Sequence, residues 1–358
     1  MPFSPWIEID REALRHNLRV VRKHAAHSRV MAVIKADAYG HGMLPVAAAL
    51  AEADGFAVAR VDEAARLREA GIDKEILVLS GAHDRQELLQ ASRLGVELVM
   101  HHAAQLTLWA ETGLSRPVAV WLKLDTGMNR LGFPPQQAQE LLSRLRNLPG
   151  VAKVAGILTH LANADNLGDD YTPLQLQRFS RATAALNLPL SIANSAGILG
   201  WPSSHEDWVR PGIMLYGASP FSAPVEELRP AMTFGSKLIS VNTVQAGEPI
   251  GYGGIWQAPE SMPVGVVAAG YGDGYPREMP AGTPVLLNNQ RVPVVGRVSM
   301  DTLMVDLRRQ PQAQVGDEVV LWGRGLPAET IAAAVQTIPY TLFCGITSRV
   351  QRREREGR

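Results

Sequence analysis

Lys35 directly follows an apolar run at residues 30–34, and Tyr39, Gly40, His41 and Gly42 come just after it. Lys123 and Asp125 end a later run and lead into Arg130. His160 ends another, Asn194 and Ser195 follow a third, and Arg210-Pro-Gly212 borders a fourth. A lysine desolvated near other cations becomes nucleophilic enough to form a Schiff base. Ser195, the backbone N–H groups of Gly212 and Ile213 and the Tyr39 hydroxyl make a set suited to a phosphate. Lysine plus a phosphate cradle points to pyridoxal phosphate. A Schiff-base aldolase also uses a barrel lysine, but it leaves the tyrosines further along the chain without a role. Each position alone has a plainer reading. A strand-end lysine is usually solvated, a lone histidine is usually satisfied and partly buried, and glycines at 212 and 217 serve tight turns. The chemistry rests on their convergence.

These residues need a scaffold that brings strand ends together. Asp10 reads as a helix N-cap, with Leu14, Leu18 and Val21 at helical spacing behind it. Apolar runs suited to buried parallel strands lie at 30–34, 56–59, 76–79, 97–100, 118–124, 155–159, 190–193 and 212–216. Helical stretches fall between them at 62–70, 85–93, 103–110, 135–146 and 173–186. That alternation predicts an α/β fold, a (β/α)8 barrel of the TIM type over 10–227, whose chemistry sits where strands end and loops begin. A doubly wound open sheet is the rival, but no Gly-x-Gly-x-x-Gly turn follows the first run. Beyond Pro230 the runs at 232–246, 264–269, 292–298 and 318–321 are strand-like, and 327–336 alone reads as a helix. A mostly β C-terminal domain is expected over 228–358, joined by an N-terminal strand within 1–9, with 218–227 as the connection.

The chain has 358 residues, 46% hydrophobic and 20% charged, with 35 basic and 35 acidic side chains. Zero formal charge gives no electrostatic reason to expect nucleic acid or an anionic membrane as a partner. No apolar stretch approaches the roughly 18 residues of a membrane helix. No basic segment followed by an apolar run opens the sequence, so a cytoplasmic protein is expected. One cysteine, Cys344, excludes an intramolecular disulfide framework. The adjacent pairs His101-His102 and His205-Glu206 lack metal-ligand spacing, so no metal is expected.

At residues 32–42, Ala-Val-Ile-Lys-Ala-Asp-Ala-Tyr-Gly-His-Gly, the chain resembles bacterial alanine racemases. Matching stretches recur in order at 122–132, 194–196, 209–217, 241–254, 270–277 and 296–301. The resemblance implies that Lys35 carries pyridoxal 5′-phosphate as an internal aldimine, and that Tyr39, Ser195, Gly212, Ile213 and Tyr340 hold its phosphate. It places Arg210 at the pyridine nitrogen and His160 beneath the ring. Arg130 and the backbone of Met300 would hold the substrate carboxylate. Lys123, carbamylated in many members, would orient Arg130. Tyr252 would be the second acid–base group, with Tyr271, Asp165, Arg277, Arg297 and Ile338 at the entrance. It further implies a homodimer with shared active sites, in which Tyr252 and Met300 reach the partner's barrel. The small-molecule substrate would be L- or D-alanine, and the reaction would supply D-alanine for the cell wall or consume it.

Racemisation needs a proton taken from one face of Cα and returned on the other, so two bases are expected, Lys35 and Tyr252. A guanidinium keeps its proton, so Arg210 would leave the ring nitrogen unprotonated, which disfavours transamination. Two rivals stand beside this reading. A decarboxylase of the same fold type would need an acidic group where Arg210 stands, and a non-catalytic pyridoxal-phosphate-binding protein would have no use for Tyr252, Tyr271 and Met300.

Overall fold

Asp10 ends one element and starts the next. The computed structural model describes residues 3–355, and its first strand is β1 (Trp6–Asp10). The Asp10 carboxylate accepts the Ala13 N–H at 2.9 Å, which caps the helix Arg11–His24.

Eight parallel strands then close into a barrel. They are β2 (Arg29–Val33), β3 (Gly55–Val58), β4 (Glu75–Val78), β5 (Glu97–Met100), β6 (Val118–Lys123), β7 (Val151–Leu158), β8 (Leu190–Ser191) and β9 (Trp208–Val209). β2 pairs with both β3 and β9. Helices cover the outside, so most of these strands are buried on both faces and read as short apolar runs. The eighth run was expected at 212–216, but the closing strand is β9, and Ile213–Tyr216 forms a 3-10 turn. Pro211 explains the shift. It has no N–H for the ladder, although its carbonyl still accepts the Val33 N–H at 2.9 Å. The stretch expected at 135–146 divides into a 3-10 turn, Pro135–Gln137, and a helix, Ala138–Arg146.

The second half is mostly β. Its strands are β10 (Met232–Val244), β11 (Pro249–Ile250), β12 (Trp256–Gln257), β13 (Met262–Val267), β14 (Pro284–Leu287), β15 (Gln290–Val295), β16 (Leu303–Asp306), β17 (Glu318–Trp322) and β18 (Gln351–Arg355). The main sheet runs β13-β16-β15-β14-β17-β10-β1-β18, and β10 also pairs with β13. β10 does this by changing partner at a register shift between Leu238 and Ser240. β1 lies in this sheet, antiparallel to β10 and parallel to β18. Two helices are present where the sequence predicts one: Ala328–Ala334 and Pro339–Cys344. The second begins with proline, which is suited to a first helical turn. Its six residues are too few to show a helical period, and it carries Tyr340.

Candidate active site

The barrel opens at the C-terminal ends of its strands onto a cavity of about 580 Å³. Nine of the predicted site residues line it: Lys35, Tyr39, Lys123, Arg130, His160, Ser195, Arg210, Gly212 and Tyr340. Ser80, Leu131, Asn194 and Cys344 also line it.

The chain after Lys35 takes an uncommon path. Ala36, Asp37, Ala38 and Tyr39 have φ of 53°, 51°, 54° and 50°, four successive left-handed residues none of which is glycine. Each such residue costs about 1–2 kcal/mol, so the surroundings must hold the turn in place. Asp37 Oδ1 accepts the Met43 N–H at 3.0 Å. The His41 Nδ1 lies 3.1 Å from the Ala38 carbonyl and 2.9 Å from that of Tyr39. Both partners are acceptors, so Nδ1 carries the proton. Gly40 completes the turn at φ 76°, where a Cβ would fall 2.1 Å from the Phe343 carbonyl oxygen. The Tyr39 ring packs between Tyr216 and Tyr340, with centroids 4.8 and 5.5 Å away.

Arg210 is buried and held from behind. Its Nη1 donates to Ser191 Oγ, and Nη2 donates to the carbonyls of Thr159 and Ile192. Ser195 Oγ accepts the N–H of Gly212 at 2.9 Å and of Met214 at 3.3 Å. Two accepted bonds turn the Ser195 proton outward as a donor. The Gly212 N–H is therefore engaged within the protein, and Ile213 is fully buried and absent from the lining residues.

Arg130 projects from a loop organised by Asp125, whose carboxylate accepts the N–H groups of Gly127, Asn129 and Arg130 at 2.9–3.1 Å. Gln175, on the helix Tyr171–Thr183, donates to Thr126 Oγ1 at 3.1 Å and to the His160 carbonyl at 3.0 Å. Sequence reading gave Gln175 no role, since a glutamine in an amphipathic stretch looks solvated. Here it is fully buried and braces two of the cavity's loops.

Lys35, Lys123, Arg130 and Arg210 converge on one cavity, and burial lowers the proton affinity of Lys35, Lys123 and Arg210. Burial, then Arg130, lowers the pKa of Lys35. Burial, then Arg210 and Arg130, brings Lys123 down to about 8. The same causes push His160 well below its usual range, so it is neutral. Burial also raises the phenols of Tyr39 and Tyr340, the latter to about 12, which keeps both as hydrogen-bond donors. Cations and hydroxyl donors around one space suit an anionic ligand.

The remaining predicted residues lie outside this cavity's lining. Tyr252 is 69% exposed, in a short turn Tyr252–Gly254, and Met300 is 52% exposed. Tyr271 and Met300 belong to one surface, where the Tyr271 N–H donates to Ser299 O at 3.1 Å and the Gly272 N–H to Met300 O at 2.9 Å. Ile338, Arg277 and Asp165 are exposed and Arg297 is partly so. The charge of Asp165 reaches Tyr340, which puts it near the cavity mouth.

Comparison with known proteins fits this geometry. The alanine racemase N-terminal domain model matches residues 9–220, and the C-terminal domain model matches 231–354. The chain belongs to the alanine racemase family. It is an isomerase, an amino-acid racemase. The alanine racemase of Nitrosococcus oceani is 50% identical over 351 residues, covering 97% of this chain and 98% of that one. That of Halorhodospira halophila is 50% identical over 353 residues, covering 98% and 97%. The crystal structure of the biosynthetic alanine racemase of Pseudomonas aeruginosa superposes with a TM-score of 0.95 at 43% identity, over 99% of this chain and all of that one. An alanine racemase of Bartonella henselae, solved with covalently bound pyridoxal phosphate, gives a TM-score of 0.90 at 29% identity, over 99% of this chain and all of that one. Alanine racemases as a family depend on that cofactor.

Proposed function

We propose that this chain interconverts L- and D-alanine with pyridoxal 5′-phosphate held on Lys35, and that Lys35 and Tyr252 move the proton on opposite faces of Cα. The observation that carries the reading is the single cavity in which a lysine of lowered pKa faces Tyr39, Ser195 and Tyr340 as hydroxyl donors and a braced Arg210.

The residues fit the cofactor. Lys35 is the anchor, the three hydroxyl donors suit the phosphate, and a Cβ at Gly212 would stand 2.7 Å from Tyr39 Oη, so glycine keeps that cradle open. Arg210 spends three N–H groups of Nη1 and Nη2 on the protein, which leaves Nε–H and one Nη1–H as donors for a ring nitrogen. When bound, the cofactor supplies a conjugated ring that takes up the electron pair left on Cα. The protein does the rest. Arg130 binds the substrate carboxylate and fixes which bond faces the bases. Lys35, with part of its proton affinity removed by burial and Arg130, accepts a proton at Nζ and returns one. Arg210 holds its own proton and so donates a hydrogen bond without transferring charge. Neutral His160 packs beside it without adding a further cation.

Tyr252 and Met300 are exposed and lie outside the lining of their own chain's barrel cavity, as expected if they complete the site of a second copy. We therefore read the enzyme as a homodimer with shared active sites, acting in the cytoplasm to supply or consume D-alanine. No helix among the described residues is long and apolar enough to cross a membrane.

Loss of optical rotation from L-alanine, with and without added pyridoxal phosphate, tests the reading. A racemase drives the rotation to zero. Carbon dioxide release would instead indicate a decarboxylase, and cofactor binding with unchanged rotation would indicate a binding protein.

A further inference from the structure

One carboxylate ties the turn after Lys35 to the neighbouring strand. Glu63 lies in the helix Val61–Glu69 and is 9% exposed. Its Oε2 accepts the Ala59 N–H at 2.7 Å and the Arg60 N–H at 3.2 Å. Those bonds alone would make it a cap for its own helix. Its Oε1 instead crosses to the loop after β2 and accepts the Ala36 N–H at 2.7 Å. Ala36 is the residue next to Lys35 and the first of the left-handed run. A helix cap has no need of that third bond.

Left-handed backbone persists where its surroundings over-determine it. Asp37 and His41 hold the middle and end of this turn. Glu63 holds its beginning, at the point where a rotation of the backbone would swing the Lys35 side chain. The carboxylate also acts on Lys35 through its charge. Burial and Arg130 work against the protonated lysine, and Glu63 works in its favour.

Resting on the racemase reading above, we infer that Glu63 is a positioning residue for the proton-transfer lysine. Its carboxylate clamps Ala36 to Ala59 and Arg60, and so sets the direction in which Lys35 and Tyr39 enter the cavity.

Two variants separate reach from charge. Glu63→Gln keeps the length, removes the charge and turns an NH2 group toward backbone donors. Glu63→Asp keeps the charge and shortens the reach. With L-alanine, Glu63→Gln is expected to lower kcat about tenfold to a hundredfold with KM within about twofold, because Asp125 rather than Glu63 holds the Arg130 loop. The visible absorbance of its holoenzyme should titrate at lower pH than that of the wild type, whereas Glu63→Asp should lower kcat without moving that titration. Kcat within twofold of wild type in both variants, with an unmoved titration in Glu63→Gln, overturns the inference. Amide hydrogen exchange of wild-type holoenzyme needs no variant: the Ala36 N–H should exchange as slowly as the amides of β2, and fast exchange also overturns it. A wild-type protein that leaves alanine unracemised defeats the proposed function instead, while exchange and absorbance still decide the clamp.

Discussion

Arg352 Nη1 stands 2.6 Å from Asp37 Oδ2, so a residue of β18 holds the turn that begins at Lys35. The two residues are 315 positions apart, and the pair joins the second half of the chain to the Lys35 loop of the barrel. Burial alone would raise the Asp37 carboxyl, but the Met43 N–H and Arg352 outweigh it and hold its pKa below the usual value.

Arg352→Ala should therefore act on the loop more than on the fold. Both partners are partly exposed, so the loss of stability should stay at or below about 1 kcal/mol. Cofactor affinity should fall about threefold to fivefold, and high salt should shrink the difference. Titrating apoprotein with pyridoxal phosphate beside a thermal melt checks this. A lowered melting temperature with unchanged affinity would make the pair a general staple. The pair also has an acid limit. A depressed carboxyl stabilises fully above the unfolded pKa near 4, and that contribution is lost as pH falls through the lower folded value.

His41 gives a second pH signature. Burial pushes it down to about 4, while an unfolded histidine titrates near 6.5. Between those values the unfolded chain binds more protons, so stability falls as pH is lowered from about 6.5 to 4, by up to roughly 3 kcal/mol from this group. His160 adds to the wild-type slope, so the informative quantity is the difference from His41→Gln in urea unfolding over that window. A constant difference across it would mean that His41 does not change protonation on unfolding.

Mixing variants tests the shared site. Lys35→Ala and Tyr252→Phe chains are each expected to be nearly inactive alone. If Tyr252 serves the partner's barrel, a mixed dimer has one doubly defective site and one whole site. Random pairing of equal amounts then restores about a quarter of wild-type activity. No recovery, with subunit exchange shown by mass, would place Tyr252 in its own chain's site.

The barrel was legible because buried parallel strands leave apolar runs separated by helical stretches, and the cavity because its polar residues stand at or near the ends of such runs. Lys123 is the last residue of β6, and Lys35 and His160 come two residues after β2 and β7. The closing strand was misplaced at 212–216 because Ile213, Met214 and Leu215 are as apolar as any strand, and the effect of Pro211 on the ladder outweighed composition. The left-handed turn left no sign, since Ala36, Asp37 and Ala38 are ordinary residues held by contacts from elsewhere. Glu63 and Gln175 were invisible for a related reason. Each looks like a solvated helix residue, and the hydrogen-bond partners that bury it come from loops outside its own helix. The role of Tyr252 came through resemblance alone, because exposure of a tyrosine beside glycines says nothing of a partner.

Placing β1 between β10 and β18 has a consequence for how the molecule is made. Arg355 Nη1 lies 3.4 Å from Glu8 Oε1, 347 residues away, and β1 pairs in parallel with β18 along its whole length. On the ribosome, β1 emerges early and β18 only after every barrel strand has been translated. Until then one edge of β1 has no neighbour, and an unpaired strand edge invites pairing with other chains. A nascent chain stalled before residue 351 should carry a finished barrel beside a sticky edge, recruit chaperones and precipitate when released. The same strand that joins the two halves thus makes synthesis of residues 351–355 a condition for covering that edge.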